Sequence, residues 1–289
     1  MTMNIFAMVT TKHSNDFTNH ALSSLIQHTK LEADDEVILI DNDASYPGLP
    51  ADCAGRVRIH LNETPRSFAA NLNQTLALAR ERRATVVFLN NDLIFSRGWY
   101  EPLRSEGRFM LSPLSNAELP YDEGEFHCRL GMDLEDYLGS EHLFQAIVRR
   151  HRNKVHGYMK VQTFPFFAVK IPYDVYSVVG PLDESFGVGG GEDRDYSIRC
   201  YQQGFELRFA LNSYILHFQG KSTWRGPETR EETAARDRFY MERFKQKWGI
   251  RMFEVMVMND LRNLPPDLLQ AHASGDFQRL MEQLQPPLS

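Results

Sequence analysis

The feature that most constrains the fold of this chain is an alternation between short apolar segments and segments with helical periodicity. Residues 16–29 and 68–83 repeat their apolar side chains at the spacing of an amphipathic helix. The short apolar segments are typical of buried strands and lie at residues 4–9, 36–40, 56–61 and 85–89. Because parallel strands are joined by crossovers that are usually helical, this order predicts an α/β fold with a mostly parallel central sheet flanked by helices.

Polar clusters directly follow three of the predicted strands. They are Thr10-Thr11, Asp41-Asn42-Asp43 and Asn90-Asn91-Asp92. In open α/β sheets, ligands bind beyond the carboxyl ends of the strands. The three clusters therefore predict one shared pocket at that edge of the sheet.

The later part of the chain is less regular. Residues 101–160 have no long periodic segment apart from a predicted helix at 141–152, so we interpret the stretch as an insertion on the sheet. Residues 228–248 form a strongly charged predicted helix, most simply a solvated face, with a membrane surface or a second subunit as alternative contacts. The sequence thus predicts a domain over residues 1–225 and a helical extension over residues 226–289.

Composition excludes several classes of protein. The chain has 38 acidic and 32 basic residues, a net charge of −6, which argues against a general nucleic-acid partner. The cysteines at 53, 128 and 200 are too few for a disulfide framework, which favours a reducing compartment. We find neither a signal-peptide pattern nor an apolar run long enough for a membrane span, so we expect a cytoplasmic protein.

The Asn90-Asn91-Asp92 turn is a candidate cation site. Mg²⁺ and Mn²⁺ bind through few hard oxygen ligands together with water and a substrate phosphate, so one aspartate suffices if a second ligand comes from elsewhere. His217 ends a short apolar segment before a Gly-Lys-Ser-Thr loop and is a candidate for that ligand. The alternatives are an ordinary strand-to-loop turn and a structural histidine.

A glycine-rich segment precedes two carboxylates. Glycines at 187, 189, 190 and 191 allow a positive φ or a close backbone approach to a ligand, and Glu192 and Asp193 follow at the predicted start of a helix. The spacing matches neither of the common phosphate-binding loops, and the carboxylates would repel phosphate. They suit hydroxyl recognition or proton abstraction, and the alternative is a flexible turn before a helix.

The order of these segments resembles that of GT-A glycosyltransferases, and of glycosyltransferase family 2 in particular. The segment Gly-Gly-Glu-Asp-Arg-Asp-Tyr-Ser-Ile-Arg also resembles the carboxyl-terminal motif of β-1,4-galactosyltransferases. The resemblance covers residues 4–224. It implies a GT-A, Rossmann-like nucleotide-binding fold and a metal-dependent hexosyltransferase that uses a nucleotide-diphosphate sugar, with a UDP-sugar favoured.

The resemblance also implies roles for individual residues in donor binding. Asp41, with Thr10 nearby, would hold the nucleotide base, and Asp43 is a weaker candidate. Other donor-binding positions implied by the family motifs are Asn62, Arg66, Asn71, Asn90, Asn91, Gly190 and Gly191. Asp92 and His217 would bind Mn²⁺ or Mg²⁺, with Asn90 standing where the family has the first Asp of its DxD motif.

For catalysis, the resemblance implies that Asp193 is the general base and that Glu192 binds an acceptor or donor hydroxyl. A single displacement would then invert the anomeric configuration. Family habit implies a carbohydrate or lipid-linked saccharide acceptor in bacterial polysaccharide or glycolipid synthesis. We expect acceptor contacts from the insertion at residues 101–160, which could instead form an interface, and from the C-terminal tail. Peripheral membrane contact and a homo-oligomer are further expectations.

Three alternative functions stay open at this point. A retaining GT-A transferase would have a similar metal site. A non-catalytic carbohydrate- or nucleotide-sugar-binding protein would share the fold. A nucleotidyltransferase is disfavoured, because the loop after the first strand, Thr10-Thr11-Lys12-His13-Ser14, lacks the glycines of that class.

Overall fold

A computed structural model describes residues 2–116, 130–221 and 228–285 of the chain. The strands are β1 (Asn4–Thr10), β2 (Glu36–Asp41), β3 (Val57–Leu61), β4 (Thr85–Leu89), β5 (Leu93–Phe95), β6 (Phe109–Ser115), β7 (Tyr158–Lys160), β8 (Ala168–Ile171) and β9 (Glu206–His217). The α-helices are α1 (Asn15–His28), α2 (Phe68–Arg80), α3 (Leu134–Lys154), α4 (Tyr173–Val179), α5 (Glu192–Gln202), α6 (Arg230–Met256), α7 (Pro266–Ala273) and α8 (Phe277–Leu284).

The described strands form one sheet in the order β3-β2-β1-β4-β8-β6-β9-β5, and β7 pairs with β9. The half made of β3, β2, β1 and β4 is parallel throughout. In the other half, β8 is antiparallel to both β4 and β6, whereas β6 and β9 are parallel. The four strands predicted from the alternation are those of the parallel half, and the α/β fold class is confirmed.

Apolar side chains from the two faces of the sheet enter different clusters. Phe6 and Met8 of β1 pack in the cluster that contains Leu22 and Leu25 of α1, whereas the neighbouring Ala7 packs in the cluster of α2. Successive strand residues point to opposite faces, which explains why the buried strands are apolar at nearly every position. Helices thus cover both faces of the sheet, and the loops lie at the edge where the parallel strands end.

The C-terminal extension packs on the same core as the sheet. Phe244 and Met252 of α6 are fully buried in the cluster that contains the α2 side chains. Trp248 Nε1 donates to Asp195 Oδ1 of α5 at 2.9 Å, and Lys247 Nζ lies 2.6 Å from the same oxygen. The charged helix therefore has a buried face, while the predicted boundary at 225/226 lies outside the described residues.

The structure differs from the prediction within residues 101–160. β6 belongs to that stretch and lies between β8 and β9, so the predicted insertion includes a strand of the sheet. The sequence of β6 is hard to recognise as a strand, because Pro113 has no N–H to donate to a neighbouring strand. The pairing register with β9 also shifts directly after Pro113. The predicted helix is present as α3 but begins earlier, with non-helical dihedral angles at Ser140.

Two further expectations from the sequence concern the cysteines and membrane-spanning segments. Cys53 and Cys200 are buried free thiols, and Cys128 lies outside the described residues. Within the described ranges, every helix is too short or too polar to cross a bilayer.

Candidate active site

The three polar clusters that follow strands lie at one edge of the sheet, as the sequence predicts. Thr10 at the end of β1 pairs in register with Asp41 at the end of β2. β4 is the other parallel neighbour of β1, and the Asn90-Asn91-Asp92 turn follows it at the same edge. Parallel neighbours necessarily bring their carboxyl ends together, so the clusters meet although they are far apart in the chain.

A cavity of about 230 Å³ opens beyond these strand ends, and we call it the strand-end cavity. Four parts of the chain that were singled out above line it. They are the loop after β1 (Thr11, Ser14), the first turns of α2 (Phe68, Asn71), the turn after β4 (Asn90, Asn91) and the glycine-rich loop with the start of α5 (Gly189, Gly190, Glu192). This convergence makes the cavity the candidate site.

A larger groove of about 610 Å³ lies along α3, with Arg97, Arg149 and Arg152 among its lining residues. None of the three polar clusters lines it. We place the candidate site in the strand-end cavity because position in the fold and chemistry agree there, whereas size alone favours the groove.

The glycine-rich loop has the backbone that the sequence predicts. Gly190 has φ 122° and Gly191, the N-cap of α5, has φ 84°, a region that L side chains rarely adopt. A Cβ on Gly190 would lie 2.7 Å from the Tyr240 ring, and one on Gly191 would lie 3.1 Å from it. Both positions therefore require glycine, because their φ angles are positive and because the Tyr240 side chain of α6 packs closely against them.

The loop fixes Glu192 at the cavity wall. Phe68 N–H donates to Val188 O at 3.4 Å, which ties the loop to the start of α2. Gly190 N–H donates to Glu192 Oε2 at 2.5 Å. Glu192 is only 7% exposed, so its carboxylate is held rigidly at the first turn of α5.

Burial raises the pKa of Glu192 from 4.5 to about 7, and repulsion from the Asp193 carboxylate acts in the same direction. The hydrogen bond from Gly190 N–H opposes this shift. A carboxyl group with such a pKa exchanges its proton readily at neutral pH, which suits general acid–base chemistry.

Asp193, the predicted general base, lies beside this carboxylate but is not among the residues that line the strand-end cavity. Its Oδ1 accepts from Arg194 N–H at 2.7 Å and lies 3.5 Å from Arg194 Nη1. The catalytic role of Asp193 stays a prediction. In the described cavity, Glu192 is the carboxylate that faces the space a ligand would occupy.

Asp92 and His217, the predicted metal ligands, are brought together by the sheet. The antiparallel pairing of β5 with β9 sets Leu93 opposite His217, so the neighbouring Asp92 meets the imidazole. Asp92 Oδ1 lies 3.4 Å from His217 Nε2, and both side chains are buried. The His217 ring stacks on Phe167 with centroids 5.0 Å apart, which fixes its plane.

This pair fits a divalent cation of the predicted kind. A carboxylate oxygen and an imidazole nitrogen that face each other are two suitable ligands, and Mg²⁺ or Mn²⁺ usually takes its remaining ligands from water and substrate phosphate. Asp92 Oδ2 also accepts from Lys221 N–H at 3.1 Å, which orients the carboxylate. Within residues 2–116, 130–221 and 228–285, no group of three His, Cys, Asp or Glu side chains is arranged around a metal.

Asn91 fastens the turn after β4 to α1. Its Nδ2 donates to Ser14 Oγ at 2.7 Å and to Thr18 Oγ1 at 2.8 Å. Asn90, the adjacent residue, lines the cavity. The turn is therefore anchored on one side by Asn91 and on the other by the contact between Asp92 and His217.

The carboxylates predicted to hold the base shape the loop after β2. Asp41 Oδ1 accepts from Ser45 N–H and Oδ2 accepts from Tyr46 N–H, each at 3.1 Å. Asp43 Oδ2 accepts from Lys12 N–H at 3.1 Å and joins this loop to the one after β1. Neither aspartate lines the strand-end cavity, and their role in donor binding stays a prediction.

Asn42, which the sequence places in a polar cluster without suggesting a role of its own, organises the next loop. Its Oδ1 accepts from Asn62 Nδ2 at 2.8 Å, from Arg66 N–H at 2.9 Å and from Asn71 Nδ2 at 3.2 Å. Asn62 is buried and the Arg66 side chain is exposed, whereas Asn71 lines the cavity. The signal that could have found Asn42 is its place between the two predicted aspartates.

Comparison with known proteins gives a fold and no sequence family. No protein-family model and no curated protein matches the chain. The chain is similar to a crystal structure of GalNAc-T7 with UDP, GalNAc and Mn²⁺, with a TM-score of 0.61 and 14% identity over 98% of this chain. The chain spans 56% of the length of that structure.

A second solved structure with some likeness is the mannosyltransferase PcManGT from Pyrobaculum calidifontis in complex with GDP-Man and Mn²⁺. Its TM-score is 0.49, with 11% identity over 97% of this chain and 84% of that chain. The GalNAc-T7 likeness carries the conclusion that this chain has the GT-A fold, which confirms the predicted architecture.

Proposed function

We propose that this GT-A chain is a metal-dependent glycosyltransferase that moves a sugar from a nucleoside-diphosphate sugar to an acceptor hydroxyl. One observation carries the proposal. Glu192, with its glycine-rich loop, and the turn formed by Asn90 and Asn91 line the same cavity at the carboxyl ends of the parallel strands. GalNAc-T7, which has a similar fold, is seen with UDP, GalNAc and Mn²⁺.

In this proposal the donor occupies the strand-end cavity. Asp92 and His217 do not line that cavity but adjoin its Asn90-Asn91 turn. They would hold Mn²⁺ or Mg²⁺ beside the donor, and a cation bound there would supply positive charge to neutralise the diphosphate leaving group. Asn71, which Asn42 holds in place, and Thr11 contribute polar groups to the lining of the cavity. These residues bind and orient the donor.

We assign proton abstraction to the carboxylate pair at the start of α5. Glu192 is the nearer candidate, because it faces the cavity and because its pKa of about 7 lets the carboxylate accept a proton at neutral pH. Asp193, the base implied by the family resemblance, is the second candidate. A general base typically contributes ~10²–10⁴-fold to the rate.

The test is turnover of a panel of nucleotide sugars with Mn²⁺. We expect slow hydrolysis of at least one donor, and Glu192→Gln should lower the rate by ~10²–10⁴-fold. Asp193→Asn is the matched variant, one position away and with the same change of charge. If Asp193→Asn alone abolishes turnover, Asp193 is the base and the role of Glu192 is wrong.

The finer parts of the proposal have their own measurements. Binding of donors without any turnover would favour a non-catalytic nucleotide-sugar-binding protein. The anomer of the product distinguishes an inverting from a retaining enzyme. Membership of family 2, a UDP-sugar donor and a saccharide acceptor are proposals that rest on the sequence resemblance, and the donor panel tests the second of them.

A further inference from the structure

α6 presents one stripe of side chains to the candidate site. Arg236, Tyr240, Phe244 and Trp248 follow each other at intervals of four residues and therefore lie on one face of the helix. Phe244 and Trp248 are buried in the core, and Tyr240 packs against Gly190 and Gly191. The stripe fixes the direction of the helix, and its first member lines the strand-end cavity.

Arg236 brings positive charge to that cavity. Among the cavity-lining residues in the described part of the chain, Glu192 and Arg236 are the charged ones. Arg236 Nη2 lies 3.4 Å from Glu228 Oε2 and 3.8 Å from Asp237 Oδ1, so acidic neighbours on α6 and its approach orient the guanidinium. The side chain is about one-third exposed, which leaves part of it accessible to a ligand.

The Nε–H of the Arg236 guanidinium is buried and lacks an acceptor in the described part of the chain. A guanidinium has five N–H donors in a planar fork that matches two oxygens of a phosphate or carboxylate. A buried donor without a partner is unfavourable, so a guanidinium that turned its fork toward an oxygen ligand in the cavity would gain a hydrogen bond that the described conformation lacks.

We propose that Arg236 binds the diphosphate of the nucleotide-sugar donor, which makes α6 part of the donor site. The inference rests on the proposed function. A charge-assisted hydrogen bond from an arginine fork is stronger than a neutral one, and it recognises phosphate bidentately. Arg236 is the basic side chain among the described residues that line the cavity, so it would supply positive charge to the leaving diphosphate.

The experiment measures binding by calorimetry with Mn²⁺ present, using UDP and GDP and, for the nucleotide that binds, its nucleoside. We expect Arg236→Gln to weaken nucleoside-diphosphate binding by about 10- to 100-fold and to leave nucleoside binding within about twofold. Arg236→Lys keeps the charge without the fork and should be intermediate. Arg238→Gln is the matched control, because Arg238 is exposed on another face of α6.

The outcomes separate this inference from the proposed function. If the unaltered protein binds neither nucleotide, a UDP- or GDP-sugar donor is excluded, and the inference about Arg236 falls with that part of the proposed function. If it binds one and both Arg236 variants bind it equally well, Arg236 does not contact the diphosphate. Equal weakening of nucleoside and nucleotide by both variants indicates a distorted cavity and overturns the inference as well. Circular dichroism of each variant identifies loss of fold, and Arg236→Lys keeps the test valid if Arg236→Gln unfolds.

Discussion

Replacing Glu192 with glutamine should stabilise the protein, and the gain should depend on pH. The pKa of Glu192 is about 7 in the folded protein instead of 4.5, because the carboxylate is desolvated beside Asp193. The folded state therefore binds more protons than the unfolded chain between pH 4.5 and 7, and the stability of the protein falls as pH rises through that window. Each pKa unit corresponds to ~1.4 kcal/mol, so the loss reaches about 3 kcal/mol by pH 8.

Glutamine cannot ionise and avoids this loss. The free energy of unfolding, measured with urea at intervals from pH 4 to pH 8, should be similar for the variant and the unaltered protein near pH 4. Above pH 7 the variant should be more stable by about 3 kcal/mol. Glu63→Gln is the control, since Glu63 is exposed. A difference between Glu192→Gln and the unaltered protein that stays constant over the whole range would refute the burial argument.

Three further perturbations test the site and its support. Asp92→Asn should reduce the dependence of nucleotide binding on Mn²⁺ by at least tenfold, which calorimetry with and without the metal measures, and unchanged Mn²⁺ dependence would contradict the assignment. Gly190→Ala should lower the free energy of unfolding in urea by about 1–3 kcal/mol, because residue 190 has a positive φ and the new Cβ would lie 2.7 Å from the Tyr240 ring. An unchanged free energy of unfolding would show that Tyr240 can move away from the added methyl group. Asp195→Ala should cost about 1–3 kcal/mol, because it leaves the buried Trp248 Nε1–H without its acceptor and removes a carboxylate that pairs with the partly exposed Arg199 and Lys247. A loss below about 0.5 kcal/mol would contradict that role.

The parallel half of the sheet could be predicted because its strands carry a local signal. β1, β2 and β4 are short, apolar and followed at once by polar residues, and burial on both faces leaves little choice of residue type. β5 and β6 carry no comparable signal, for different reasons. β5 has three residues, too few for a pattern, and β6 contains a proline and two serines in a strand that is nevertheless buried.

The chemistry of the site was predictable where it depends on residues close together in the chain. The need for glycine before α5 follows from local backbone geometry, and the structure confirms the positive φ values at Gly190 and Gly191. The meeting of Asp92 with His217 is a long-range consequence of β5–β9 pairing. Their residue types and positions made both candidate ligands, and the resemblance implied that they bind one metal. Which of Glu192 and Asp193 faces the cavity depends on the first turn of α5, which sequence spacing alone does not fix.

The role of α6 could not be predicted from its composition. A helix with many arginines, lysines and glutamates is most often a solvated face, and the exposed Arg238 fits that description. The same helix has apolar or aromatic residues at every fourth position after Arg236, and this weak stripe anchors it on the core. Once the stripe is anchored, helical geometry directs Arg236 to the strand-end cavity one turn beyond Tyr240. A charged residue in line with a buried stripe is thus a better candidate for a ligand contact than its equally charged neighbours, and the contrast between Arg236 and Arg238 is the direct test of that rule.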